Sequence, residues 1–98
     1  MTSPPESGRA RIRLQLYGRV QGVGFRAFAR ELARDLSLAG YVRNRPDGSV
    51  EVVAEGPAAV LAVLRRRLEQ GPPYGDVQSV TVEASEGGDL RDPFEIRW

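Results

Sequence analysis

Gly18-Arg19-Val20-Gln21-Gly22-Val23-Gly24-Phe25-Arg26 joins a run of alternating residues to an amphipathic one, and its reading decides the fold. Gly18, Gly22 and Gly24 allow the backbone to bend tightly and to come close to a ligand, because glycine has no Cβ in the way. The residues that follow open a helix, whose first N–H groups lack intrahelical partners and carry partial positive charge. A phosphate suits that place. Arg26 does not suit it, since a cation in the first turn opposes the helix dipole by about 0.3–1 kcal/mol. A bound anion between guanidinium and amides removes the conflict. The glycines match neither the G-x-G-x-x-G fingerprint nor the G-x-x-x-x-G-K-[ST] loop, so on spacing alone an ordinary strand-to-helix turn also fits.

Upstream, residues 10–17 alternate, with Ile12, Leu14 and Leu16 facing one way and Arg11, Arg13, Gln15 and Tyr17 the other, as in a strand with one buried face. Downstream, Phe25, Phe28, Ala29, Leu32, Ala33 and Leu36 make one helical stripe, and Gly40 is placed to stop that helix near Leu38. Tyr41-Val42-Arg43-Asn44-Arg45 reads as a strand, Pro46-Asp47-Gly48 as a hairpin turn, and residues 49–55 as the returning strand. Gly56-Pro57 opens a second helix with proline first, its stripe is Val60, Leu61, Leu64 and Leu68, and Gly71-Pro72-Pro73 closes it. Residues 77–83 form another strand with Val80 and Val82 inward; Glu86-Gly87-Gly88-Asp89 is a loop, and Phe94, Ile96 and Trp98 mark a short final strand. Those last aromatics read as core or edge packing rather than a binding platform.

This order is the α+β, ferredoxin-like βαββαβ two-layer sandwich: an antiparallel sheet, two helices on one face, and a short extra C-terminal strand. Ninety-eight residues suffice for one core, so residues 1–9 read as a disordered lead-in and 10–98 as one domain. No apolar run suits a membrane span or a signal peptide, which leads us to expect a cytoplasmic protein with no membrane partner. The chain has neither cysteine nor histidine. That removes the thiolate nucleophile, the usual general base and the commonest metal ligands. An enzyme built this way works through carboxylates, arginines, amides and backbone, and so suits an already activated substrate.

Net charge is near neutral, but between Glu6 and Glu31 there is no acid, while Arg9, Arg11, Arg13, Arg19, Arg26 and Arg30 all fall there. The asymmetry points to an anionic ligand. Arg65-Arg66-Arg67 lies near the end of the second helix, where cations complement the dipole and Arg65 can pair with Glu69, so it reads as a solvated face. The first and second strands flank a crossover helix and therefore run parallel, with their carboxyl ends at one edge of the sheet. Arg26 and Asn44 should meet there, an amide beside a phosphate cradle.

Residues 16–26, Leu16-Tyr17-Gly18-Arg19-Val20-Gln21-Gly22-Val23-Gly24-Phe25-Arg26, closely resemble the first signature of the acylphosphatases. Gly40-Tyr41-Val42-Arg43-Asn44, with Gly48, Val50 and Gly56, resembles their second. The similarity runs over residues 10–97; Gly24 is replaced by a bulkier residue in some relatives. The resemblance implies hydrolysis of the carboxyl–phosphate bond of small acyl phosphates to carboxylate and inorganic phosphate, with no metal or other cofactor, by a monomer. It implies that Arg26 and the loop of Arg19, Val20, Gln21, Gly22, Val23 and Gly24 bind the phosphate. It also implies that Asn44 orients the attacking water, whose proton goes to the substrate's own phosphate. Two rivals remain. A non-catalytic or regulatory phosphate-binding module of this type would share both motifs. An RNA-binding domain of the same topology would need aromatics on its central strands, and residues 49–55 have none and carry two acids, so nucleic acid is not an expected partner.

Overall fold

The computed structural model describes residues 9–86 and 90–98. Its elements are β1 (Arg9–Arg19), α1 (Phe25–Asp35), β2 (Ala39–Asn44), β3 (Val50–Pro57), α2 (Ala58–Gln70), β4 (Asp76–Ala84) and β5 (Glu95–Arg97). Of the expected lead-in and the loop at residues 86–89, positions 1–8 and 87–89 lie outside the described residues.

The strands lie in the order β4-β1-β3-β2-β5. β1 is antiparallel to both β3 and β4, and β2 is antiparallel to β3. β5 runs parallel to β2, which corrects the expectation of a wholly antiparallel sheet. The reason is directional. β4 ends at the edge where β2 begins, so a chain that crosses to the far side enters beside β2 running the same way.

Alternation sets the core. Leu14 faces Val52, Leu16 faces Val50 and Val42 faces Val52 across the ladders, and all are buried beneath Phe25, Ala29, Leu32 and Ala33 of α1 and Leu61, Leu64 and Leu68 of α2. Phe94, just before β5, is fully buried with them. Val80 packs against this core, but Val82 is 36% exposed, lining a surface groove with Ala58, Leu61, Ala62 and Arg65 of α2. Pro57 is the N-cap of α2 rather than its first residue.

α1 ends earlier than its glycine suggests. Ser37 takes the left-handed conformation at φ 58, with Leu38 N–H donating to Ala33 O at 2.9 Å and Ser37 N–H to Arg34 O at 3.0 Å. That is a Schellman closure with serine in the position glycine usually holds. Gly40 instead lies within β2 at φ 142, where an added Cβ would stand 1.9 Å from Val53 O. Its job is close approach of two strands.

The sheet face away from the helices carries an ion-pair network. Glu51 is only 2% exposed, held by Arg13 and Arg43, with Arg45 Nη1 at 3.7 Å. Arg13 also reaches Glu83 at 2.9 Å, and Arg11 reaches Glu55 at 3.1 Å. Burial pushes the Glu51 carboxyl up, but hydrogen bonds from Arg13 and Arg43, together with their charges, outweigh it and hold it below its ordinary value. Arg11 and Arg13 are thus matched by acids from later strands. For these two of the six early arginines the role is structural, so the early charge asymmetry does not as a whole mark a ligand.

Candidate active site

Gly24 is the N-cap of α1, left-handed at φ 78 and ψ 20, and no side chain caps the helix. No acid occupies the first turn. The early amides of α1 are therefore left for a ligand. Gly22 is also at positive φ, and neither it nor Gly24 has a neighbour within 4 Å of where a Cβ would stand. The demand on Gly24 is conformational rather than spatial.

Asn44 arrives from the other side of the crossover. It pairs opposite Val50 and shares the parity of Val42, so it lies on the helix face of β2, toward the loop. Val20, Gly22, Gly24, Phe25, Arg26, Ala27 and Asn44, with Ile96 and Trp98, line one cavity of about 220 Å³. The two residues expected to meet, Arg26 and Asn44, do so. Of the other loop residues, Arg19 is exposed at the end of β1, Val23 packs partly against the core, and none of Arg19, Gln21 and Val23 lines the cavity.

Gln21 does something spacing could not reveal. Its side-chain amide donates to Arg45 O and to Ser49 O, each at 2.8 Å. Both carbonyls belong to the hairpin that follows Asn44, closed by Gly48 N–H to Arg45 O at 3.0 Å and Arg45 N–H to Ser49 O at 2.9 Å. Asp47 stiffens the same turn by accepting from the Ser49 hydroxyl and N–H, bonds that hold its carboxyl below the usual range. Gln21 thus ties the glycine loop to the strand that carries Asn44. The hint in the sequence was a polar, amide-bearing residue among glycines, with nothing to say what it reached.

Trp98 is the second surprise. It is 92% exposed, and the Arg26 guanidinium lies over its ring, 4.0 Å from the centroid. It is neither core nor edge packing, as the sequence suggested, but part of the site's rim. Tyr41 stacks under Arg97 on the opposite face of the sheet, and Tyr74 is 81% exposed away from the cavity. Among the described residues, no group of three or more carboxylates is placed to hold a metal ion, and no helix is long and apolar enough to cross a membrane.

Chemically, the cavity offers uncapped helix amides, a guanidinium with no carboxylate opposite it among the described residues, and a neutral carboxamide. Groups of these types are chemically able to grip an oxyanion and orient a water without a titrating base. The acylphosphatase family model matches residues 12–96. Over 74 residues the chain is 51% identical to an acylphosphatase of Thermus thermophilus, covering 76% of this chain and 84% of that protein. Among solved structures, an acylphosphatase from Coxiella burnetii superposes with a TM-score of 0.87 at 34% identity, covering 98% of this chain and 100% of that one. Full-length HypF, solved in a phosphate- and nucleotide-bound form, gives a TM-score of 0.79 at 25% identity over 92% of this chain but 12% of its own. With its motifs meeting in one cavity and the family match running from β1 to β5, the chain belongs to the acylphosphatase family, whose members act on acyl phosphates and release phosphate.

Proposed function

We propose that this chain, acting as an acylphosphatase, holds the phosphoryl group of a small acyl phosphate on Arg26 and the amides of the glycine loop, while Asn44 aims a water at phosphorus. One observation carries this reading: Arg26, Gly22, Gly24 and Asn44, from two separate stretches of sequence, line the same cavity. The water oxygen forms the new bond to phosphorus as the bond from phosphorus to the carboxyl oxygen breaks, and the carboxylate leaves with the bonding pair. The water proton passes to a phosphate oxygen of the substrate. Because the leaving group is a stabilised carboxylate, the protein supplies position and charge stabilisation rather than a strong base, and the reaction needs no metal or cofactor. Of the expected phosphate contacts, Val20, Gly22 and Gly24 act through the loop backbone, Gln21 by shaping the loop, and Arg19 and Val23 from its edges. The enzyme works as a cytoplasmic monomer on a diffusible substrate.

Phosphate affinity and turnover, measured separately, test the division of labour. Arg26→Ala removes charged hydrogen bonds of about 1.5–3 kcal/mol, so phosphate affinity should fall by roughly ten- to 150-fold. Turnover should fall by about 10²–10³, as when one oxyanion donor is lost. Arg26→Lys should recover little, because a point charge cannot make the fork. Asn44→Ala should lose turnover and keep phosphate affinity. Equal loss of phosphate binding in both alanine variants overturns these roles. Phosphate binding by the wild type without turnover of acetyl phosphate would favour the non-catalytic module.

A further inference from the structure

We infer that Trp98 is a positioning residue for Arg26: its indole supports one face of the guanidinium so that the N–H edge stays free for the phosphate. This rests on the phosphate-gripping role proposed above for Arg26. An arginine is most simply held by a carboxylate, as Arg13 and Arg43 are by Glu51 and Arg65 is by Glu69. At a phosphate site that solution fails, since the carboxylate takes the donors the ligand needs and repels the ligand. Among the described residues, no carboxylate lies within ion-pair distance of Arg26, and the partner it has is the Trp98 ring. A guanidinium is planar and donates only from its edges, so stacking occupies a face and leaves the fork intact.

The fold aims Trp98 at this task. Ile96 pairs opposite Val42 in the parallel β2–β5 ladder and packs toward the core. Trp98, two residues on, falls on the same side, where Asn44 stands at the end of β2, and both residues line the cavity. β5 is pinned from both faces. Phe94 is buried beneath it, Arg34 of α1 donates from Nε to Phe94 O at 2.8 Å, and Arg97 stacks on Tyr41. The Arg34 bond also links the helix that bears Arg26 to the segment that bears Trp98. Such an arrangement explains why a large indole stays 92% exposed.

Trp98 is the only tryptophan, so its fluorescence reports on this contact directly. Titrating the intact wild-type protein with inorganic phosphate should shift the indole emission, with a midpoint equal to the phosphate inhibition constant. Trp98→Ala and Trp98→Leu should weaken phosphate binding and raise KM by about two- to fivefold with kcat little changed, the loss of a solvent-exposed cation–π contact. Trp98→Phe, which keeps a ring, should recover most of it. An emission spectrum indifferent to saturating phosphate overturns the inference. So does full recovery by leucine, or a lowered urea midpoint with unchanged phosphate affinity, either of which would mean packing alone. Arg26→Ala serves as the control: if it leaves phosphate affinity intact, the reading of Arg26 itself falls, and with it the inference. If it abolishes affinity while the Trp98 variants bind as the wild type does, only the inference falls.

Discussion

Replacing Gln21 by glutamate changes one atom's identity and reverses the polarity of the contact that joins the two halves of the site. In the wild type, one amide nitrogen donates to Arg45 O and Ser49 O at 2.8 Å each. A carboxylate in its place presents only acceptors to two carbonyl oxygens. Removing both bonds outright, as in Gln21→Ala, forfeits about 0.5–1.5 kcal/mol each. Each carbonyl keeps a backbone donor, Gly48 N–H on Arg45 O and Arg45 N–H on Ser49 O, so neither is orphaned and the lower half of that range applies. The expected loss is then about 1–2 kcal/mol, or roughly 5–15 °C in Tm for a domain of this size. Gln21→Glu should lose more, since repulsion is added to the missing bonds. Its deficit relative to wild type should shrink in acid, where the protonated carboxyl again donates one bond. Activity should fall further than stability alone explains, by about tenfold to a hundredfold in kcat/KM, because a loop shifted by about 1 Å misplaces phosphate relative to water. Urea denaturation and acetyl phosphate hydrolysis on the same preparations supply both readings. A Gln21→Glu protein that melts and turns over like the wild type would refute the tether.

Glu51→Gln leaves Arg13, Arg43 and Arg45 without their shared carboxylate, a loss discounted to about 1–3 kcal/mol because the arginines are partly exposed. The folded Glu51 carboxyl lies below its ordinary value of 4.5, so its contribution is fully present above that value and disappears as pH falls through the depressed one. Urea midpoints of wild type and variant should therefore differ at neutral pH and converge in strong acid; a gap that widens with acid would contradict the sign. Gly40→Ala drives a Cβ to 1.9 Å from Val53 O and should prevent stable folding, whereas Gly24→Ala meets nothing within 4 Å and should cost only about 1–2 kcal/mol for its left-handed backbone. Circular dichroism melts of the two variants separate these outcomes.

Hydrophobic period and turn chemistry were enough to place each strand and helix, because both depend on residues close together in the chain. Alternation made β1, the stripe from Phe25 to Leu36 made α1, and Pro46-Asp47-Gly48 made the hairpin. The crossover rule then brought Asn44 to the glycine loop, since parity and strand direction follow once the elements are known. What β4 and β5 do at their edges was harder to read. Whether Val82 is covered depends on how closely α2 packs over it, and whether β5 runs parallel depends on the side on which the chain re-enters the sheet after β4.

Side chains that act across the fold escaped the sequence for one physical reason. Their partners are fixed only when distant segments pack, and no local pattern records the meeting. Glu51 alternates like any solvent-facing strand residue, yet arginines from β1 and β2 close over it. Gln21 finds its carbonyls in another hairpin, and Trp98 finds Arg26 across the edge of the sheet. The sequence by itself determined the order of elements, the glycine loop and the meeting of Arg26 and Asn44 at one cavity. Tertiary structure alone decided what holds each of those groups in place.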